Sequence, residues 1–418
     1  MAEHIALRDF VKKLKSKGVK CTLLGVGPVS EIVTRATLEA CKNYDCPPIF
    51  IASRNQVDLK ELGHGYLMGG MDQKAFTGLI EKMKGEVGYE GAVYICRDHG
   101  GPWQRNKELD EKYPVEKAME IGKLSFKADI EAGFNYLHID PTKCPLKFTL
   151  GDIIDWTADI LKFCEDTRKA MGKPEIDYEV GTEDIQGGLT TKDTFEAFLR
   201  ALTGKLNKQG LPLPTCVVAQ TGTLCRIDRN MGCFDREQTK ELVEIAARFG
   251  VGLKEHNGDY LSAATCRVHP DIGITGMNVA PEYGLVETDA LLELEHLEQK
   301  LVREGWLKAA DASDLRELLL KLTFEKSPWT KWMTKDIKVL GTEVIEKDAA
   351  LRLLIGRVCG HYVYDRPEML AARKRLYKNV DAYELVEGGA EAFVTKKVRD
   401  SIEFYLEHFR CKGLNAYA

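Results

Sequence analysis

Eight short apolar runs, each followed by a longer segment, constrain this chain more than any other feature. The runs are residues 21–26, 49–52, 92–96, 136–139, 178–180, 216–219, 252–254 and 274–279. Between them lie amphipathic segments, 30–42, 72–84, 115–132, 153–170, 194–201 and 237–249, in which apolar residues recur with helical spacing. Short apolar runs suit strands buried on both faces, and parallel strands need crossover helices to join them. Eight such units predict an α/β chain folded as a (β/α)8 TIM barrel. A doubly wound open sheet produces the same pattern, because closure leaves no local mark. The interval after the seventh run, 257–271, is short and predicts a weak helix or only a turn.

After the eighth run a strongly amphipathic helix is expected over 281–304. Residues 305–418 then lose the strand period and read as helices over 312–322, 343–358, 367–377 and 390–409. The expected organisation is a barrel with an N-terminal helix in 1–304 and a C-terminal helical extension, 305–418, packed on it. The linking segment 324–335, with its SPWTKW, reads as an exposed turn without assigned chemistry. The net charge of -5 comes from interspersed signs, so no basic stripe points to nucleic acid. No stretch approaches the roughly 18 apolar residues of a membrane span. The start, MAEHIALRDFVKKLKSKG, lacks the apolar core of a signal peptide. Twelve cysteines without a CxxC pair fit free thiols, so a cytoplasmic protein is expected.

In a (β/α)8 barrel the functional groups sit at the C-terminal ends of the strands. Here those ends read SRNQVD (53–58), RDHGG (97–101), HID (138–140), EVGTED (179–184), QTGT (220–223), EHNGDY (255–260) and NVAPE (278–282). They gather Asp98, His99, His138, Asp140, Glu179, Glu183, Gln220 and His256 around one mouth. Imidazole nitrogen with carboxylate or amide oxygen suits a divalent ion such as Zn, Mn, Co or Mg. His99, Glu179 and His256 are the expected ligands, with Gln220 a fourth. An ion held there would polarise a carbonyl and stabilise an enediolate. Asp98 is then placed to move a hydroxyl proton, with Glu183 as a second acid/base. Asn55, Gln56, His138, Asp140, Thr223, Asn257, Asp259 and Asn278 are the expected substrate contacts. Gly222-Thr223 and Asn257-Gly258 lie where such barrels often bind phosphate.

Other motifs carry less. Gly25-Val26-Gly27-Pro28 follows a strand but lacks the third glycine of a dinucleotide fingerprint. His64, within LGHGYLMGG, reads as part of a mobile loop over the mouth. His269, His296, His361 and His408 stand alone on or near helices and read as structural.

Over nearly its whole length the chain resembles the Z-type subunit of class II tagatose-bisphosphate aldolase. The resemblance is carried by SRNQVD, DHGGPW, AGFNYLHID, DYEVGTE, the pair Gly187-Gly188, VVAQTG, EHNGDY and the C-terminal helices. That family is similar to the catalytic class II ketose-bisphosphate aldolases. The resemblance implies a proton-transfer role for Asp98, metal ligation by His99 and His256, and ketose-phosphate binding by Asn278. Pro281 stands where the family's NxxT-like segment has threonine. The family's third histidine follows the sixth strand, where QTGTLC has Gln220 instead, and this moves Glu179 into the expected metal shell.

Z-type subunits are described as non-catalytic partners of an aldolase subunit. The branch with DHGGPW, HIDPT and YEVGTE resembles ketose 4-epimerases acting on fructose or tagatose 6-phosphate. The expected function is therefore metal-dependent 4-epimerisation of a ketose phosphate by retro-aldol and aldol steps at C3–C4. A tagatose-bisphosphate aldolase subunit, stabilising or catalytic, is the alternative. The expected partners are a small ketose or ketose phosphate, with a homo-oligomer or an aldolase subunit as a protein partner, and neither nucleic acid nor membrane.

Overall fold

The computed structural model describes residues 5–181 and 190–418. Eight parallel strands close into a barrel: β1 (Leu23–Val26), β2 (Ile49–Ser53), β3 (Tyr94–Gly100), β4 (Tyr136–Ile139), β5 (Asp177–Gly181), β6 (Cys216–Val218), β9 (Gly252–Glu255) and β10 (Gly276–Val279). β10 pairs with β1, Leu23 opposite Gly276 and Val26 opposite Val279, and this pairing seals the sheet. An antiparallel hairpin, β7 (Cys225–Arg226) with β8 (Arg229–Asn230), interrupts the alternation after β6.

The helices start where side chains can replace missing backbone partners. Ser30 and Asp72 cap Glu31–Tyr44 and Gln73–Val87 by accepting from the N–H of Val33 and Ala75. The interval after β9 holds a ten-residue helix, Ala263–Ile272, not a turn. Ser262 caps that helix, and its burial of Cys266, His269 and Pro270 supplies what its weak periodicity does not. The expected helix 343–358 is two, Thr342–Lys347 and Ala349–Cys359, because Asp348 turns to accept the N–H of Ala350 and Leu351, each at 3.0 Å.

The N-terminal helix, Leu7–Ser16, plugs the bottom of the barrel. The N–H groups of Leu7 and Arg8 donate to the Asp177 carboxylate at the start of β5, at 2.6 and 3.1 Å. Its Leu7, Phe10, Val11 and Leu14 are buried, each burial stabilising by about 1.5–3 kcal/mol.

The C-terminal helix, Ala390–His408, packs on Glu31–Tyr44 and Pro281–Arg303. Met333, Ile337, Ile345, Ile355, Val358 and Cys359 form a second apolar cluster with Leu285 of that last helix, and this seats the segment before the C-terminal helix over the top of the barrel. No helix among the described residues is long and apolar enough to cross a membrane.

Candidate metal centre

The strand β3 solves a directional problem. Arg97 points outward, where its guanidinium holds Asp129 of the helix Val115–Ala132 through bonds of 2.9 and 2.6 Å, both side chains 0% exposed. Strand alternation then turns Asp98 inward and would turn His99 outward again. The pairing with β4 shifts by one residue between Arg97 and Gly100, and His99 takes a left-handed φ of 44°. Such a bulge re-aims side chains beside functional sites, at a backbone cost of about 1–3 kcal/mol. Asp98 and His99, neighbours in sequence, therefore both face the cavity at the mouth.

Three imidazoles meet there. The ring centres of His99, His138 and His256 are 5.1, 4.9 and 5.1 Å apart, and one ligand nitrogen from each lies within 4.8 Å of the others. His99 Nε2 and His256 Nδ1 are 3.2 Å apart. Two nitrogens each about 2.0–2.1 Å from one zinc ion would be separated by roughly that length. His138 Nε2 is buried and has no hydrogen-bond partner, while His138 Nδ1 accepts the His99 N–H at 3.2 Å. Burial pushes the His138 pKa down to about 4, leaving the neutral imidazole that metals bind. These residues fit a divalent ion.

Carboxylates behind the imidazoles fix their orientation. Asp140 Oδ2 lies 2.8 Å from His99 Nδ1, and its other oxygen accepts the Thr142 N–H and hydroxyl at 3.0 and 2.5 Å. Glu179 Oε1 lies 2.8 Å from His256 Nε2, while Oε2 accepts from Lys254 Nζ at 2.6 Å. Burial alone would raise both carboxyls. The hydrogen bond and charge of His99 hold Asp140 well below the usual range, and the Lys254 ammonium holds Glu179 there. Partners of this kind set which ring nitrogen is left for the metal.

The assembled trio thus differs from the expected one in a single member. His138 stands with His99 and His256, and Glu179 lies behind them because a buried lysine claims its second oxygen. Gln220 is half-buried, its N–H donating to Thr190 Oγ1, and it does not line the cavity.

The cavity has a volume of 960 Å³, at the upper end of the ~300–1,000 Å³ usual for ligand sites. Asp98 Oδ1 accepts from Asn278 Nδ2 at 3.1 Å, and its carboxylate stands 3.9 Å from a nitrogen of His99 and of His256. Gly25 makes room for Asn278, since a Cβ there would lie 2.4 Å from Asn278 Oδ1. Gly25, the first glycine of the Gly25-Val26-Gly27-Pro28 stretch, is thereby explained by packing at the site.

Asn55, Gln56 and Asn257, which were expected to contact substrate, line the cavity. Three other expected contacts are spent elsewhere. Asp140 is fully buried beneath His99. Asp259 borders the cavity, but its Oδ1 accepts the N–H of Ala280 and Glu282 at 3.0 and 2.9 Å, and burial pushes its carboxyl up to about 7. Thr223 is buried in the turn leading to the β7–β8 hairpin, away from the cavity. Glu183, Gly187 and Gly188 lie outside the described residues.

The extension contributes what sequence reasoning left unassigned. Lys331 and Trp332 of SPWTKW line the cavity, as does His361, which was expected to be only structural. His64 and Tyr66 border it from the loop over the mouth, Tyr66 packing on Tyr362 with ring centres 4.6 Å apart. Lys254 carried a signal, being a charged residue inside a buried strand. Lys331 carried none.

A family model described as D-tagatose-1,6-bisphosphate aldolase subunit GatZ/KbaZ-like matches residues 7–408. No curated protein sequence matches the chain. Among solved structures, a probable tagatose 6 phosphate kinase from Sinorhizobium meliloti 1021 aligns with a TM-score of 0.75 at 18% identity, covering 93% of this chain and 100% of that one. A fructose-bisphosphate aldolase from Campylobacter jejuni aligns with a TM-score of 0.58 at 13% identity, covering 99% and 97%. The fructuronate-tagaturonate epimerase UxaE from Cohnella laeviribosi aligns at 0.57 and 10% identity, covering 94% and 81%. At these identities the likeness is one of fold.

Proposed function

Because the chain belongs to the D-tagatose-1,6-bisphosphate aldolase subunit GatZ/KbaZ-like family, we propose that it inverts C4 of a ketose phosphate by breaking and remaking the C3–C4 bond. The observation that carries this reading is Asp98, aimed into the mouth beside the three imidazoles and held by Asn278. His99, His138 and His256 would hold a divalent ion, which supplies Lewis-acid polarisation of the ketose carbonyl when bound.

The C4 hydrogen is β to the C2 carbonyl and is not acidic enough to be removed. The 4-hydroxyl offers another route. The Asp98 carboxylate takes its proton, the C4–O bond becomes a carbonyl, and the C3–C4 electron pair passes into the C2 carbonyl. The fragments are an enediolate and a three-carbon aldehyde. The aldehyde turns, C3 attacks its other face, and the proton returns to O4. No electron is gained or lost overall, so no redox cofactor is needed. Glu183, the proposed second acid/base, serves the opposite face of C4. Glu183→Gln should suppress epimerisation more than release of three-carbon products.

The test is incubation of the purified chain with fructose 6-phosphate and each divalent ion, followed by NMR of the C4 signals. Appearance of tagatose 6-phosphate without a second protein supports the reading, and its absence with every ion sinks it. The family description favours a second reading, a subunit that supports a separate aldolase. Activity appearing only when such an aldolase is added would select it.

A further inference from the structure

The hairpin β7–β8 and the SPWTKW turn are tied together at the cavity wall: the Ile227 N–H donates to the Trp332 carbonyl at 2.9 Å. That bond sets Arg226 beside Lys331, and both side chains line the cavity with Lys143 from the loop after β4. Trp332 is itself held, its Nε1 donating to Tyr362 Oη at 2.9 Å, so the turn carrying Lys331 is anchored on both sides.

None of the three cations forms an ion pair among the described residues. Lys143 Nζ donates to the Gln104 side-chain oxygen at 2.9 Å, Arg226 donates to a backbone carbonyl, and Lys331 Nζ lies 5.1 Å from the Trp332 ring. Lys331 and Lys143 are exposed at the cavity rim, and the like charges of Lys143 and Arg226 act on Lys331 together, with Asp98 pulling the other way. The same cavity wall thus concentrates positive charge within reach of the proposed reaction centre. Arg105, which also lines the cavity, is already occupied by Asp58 and three backbone carbonyls.

We infer that Lys143, Arg226 and Lys331 bind the anionic group at the end of the ketose chain remote from the carbonyl, and that a phosphate dianion is the group they select. This rests on the reading that the histidine centre takes a ketose. Like charges held together without counter-ions are relieved by a doubly charged ligand more than by a singly charged one. The C-terminal extension, through Lys331, then supplies substrate selection to a barrel that supplies the chemistry. The phosphate is placed here, and not on the Thr223 turn, which is buried away from the cavity.

Calorimetry tests this on the full chain with inorganic phosphate, fructose 6-phosphate, fructuronate and fructose. The expected order of affinity is fructose 6-phosphate above fructuronate above fructose. Lys331→Gln should weaken inorganic phosphate and fructose 6-phosphate by about 10-fold or more, as expected for a lost charged hydrogen bond, and leave fructose unchanged. Arg226→Gln should repeat that loss, and Lys331→Arg should restore most of it. Fructose binding as tightly as fructose 6-phosphate, or an unchanged Lys331→Gln, overturns the site. Fructuronate binding tightest overturns the choice of phosphate. These binding arms need no turnover, so phosphate recognition with no epimerisation would sink the reading of function and leave this site standing.

Discussion

Replacing Lys254 with methionine removes one half of an ion pair that is sealed inside the barrel. Lys254 Nζ and Glu179 Oε2 are 2.6 Å apart, with side chains 5% and 0% exposed, and the ammonium also lies 5.0 Å from the Tyr136 ring. Methionine fills the stem's space but leaves Glu179 Oε2 charged and without a partner. Breaking a buried pair from one side costs about 3–5 kcal/mol, about two to four decades in the folded-to-unfolded ratio. Glu179→Gln costs a similar amount, because the buried ammonium is then left without a counter-charge. The double variant should cost less than the two singles together by about 1–3 kcal/mol, since neither charge remains.

Urea titrations followed by circular dichroism, compared at equal slope, measure all four proteins. The pH dependence follows from the depressed Glu179 carboxyl. Its contribution is present above the unfolded value of about 4.3 and is lost as pH falls through the lower folded value. Without the ammonium that loss should move to higher pH. Lys254→Met within about 1 kcal/mol of the wild type, or strict additivity in the double variant, would refute the reasoning.

Asp98→Asn should keep bound metal and stability but lower kcat by about 10²–10⁴-fold, and unchanged turnover would return Asp98 to a structural role. Asp140→Asn takes away the carboxylate that orients His99, so zinc affinity should fall about 10–100-fold in competition with a chromophoric chelator. An unchanged affinity would remove His99 from the metal site. Burial pushes His361 down to about 3, against about 6.5 in the unfolded chain. Between those values the unfolded chain binds a proton that the folded one refuses, so this share of stability is complete above pH 6.5 and lost on acidification. His361→Phe should flatten the stability profile below pH 6.5, and an unaltered slope there would contradict the assignment.

Local pattern was enough for the scaffold. The strand β4 and the helix Val115–Ala132 have the bounds that the apolar run and the helical period mark, because each is defined by residues adjacent in sequence. The polar strand ends pointed to the mouth for a similar reason: in parallel strands the C-terminal ends share one face. The sequence also named Asp98, His99 and His256, because each stands at or just past the end of a strand that its apolar run marks.

What depended on distant contacts stayed hidden. The bulge that turns His99 beside Asp98 is a shift of pairing between β3 and β4, and no local signal records such a shift. The place of Glu179 was decided by Lys254 on another strand, whose ammonium holds the carboxylate behind the imidazoles. Lys331 reached the cavity only because a C-terminal turn folds back and bonds Ile227, a contact between segments about a hundred residues apart. Patterning reports which face of an element is apolar. Which charges finally meet is settled by tertiary packing, where each buried ion must find its partner or leave its site to a ligand.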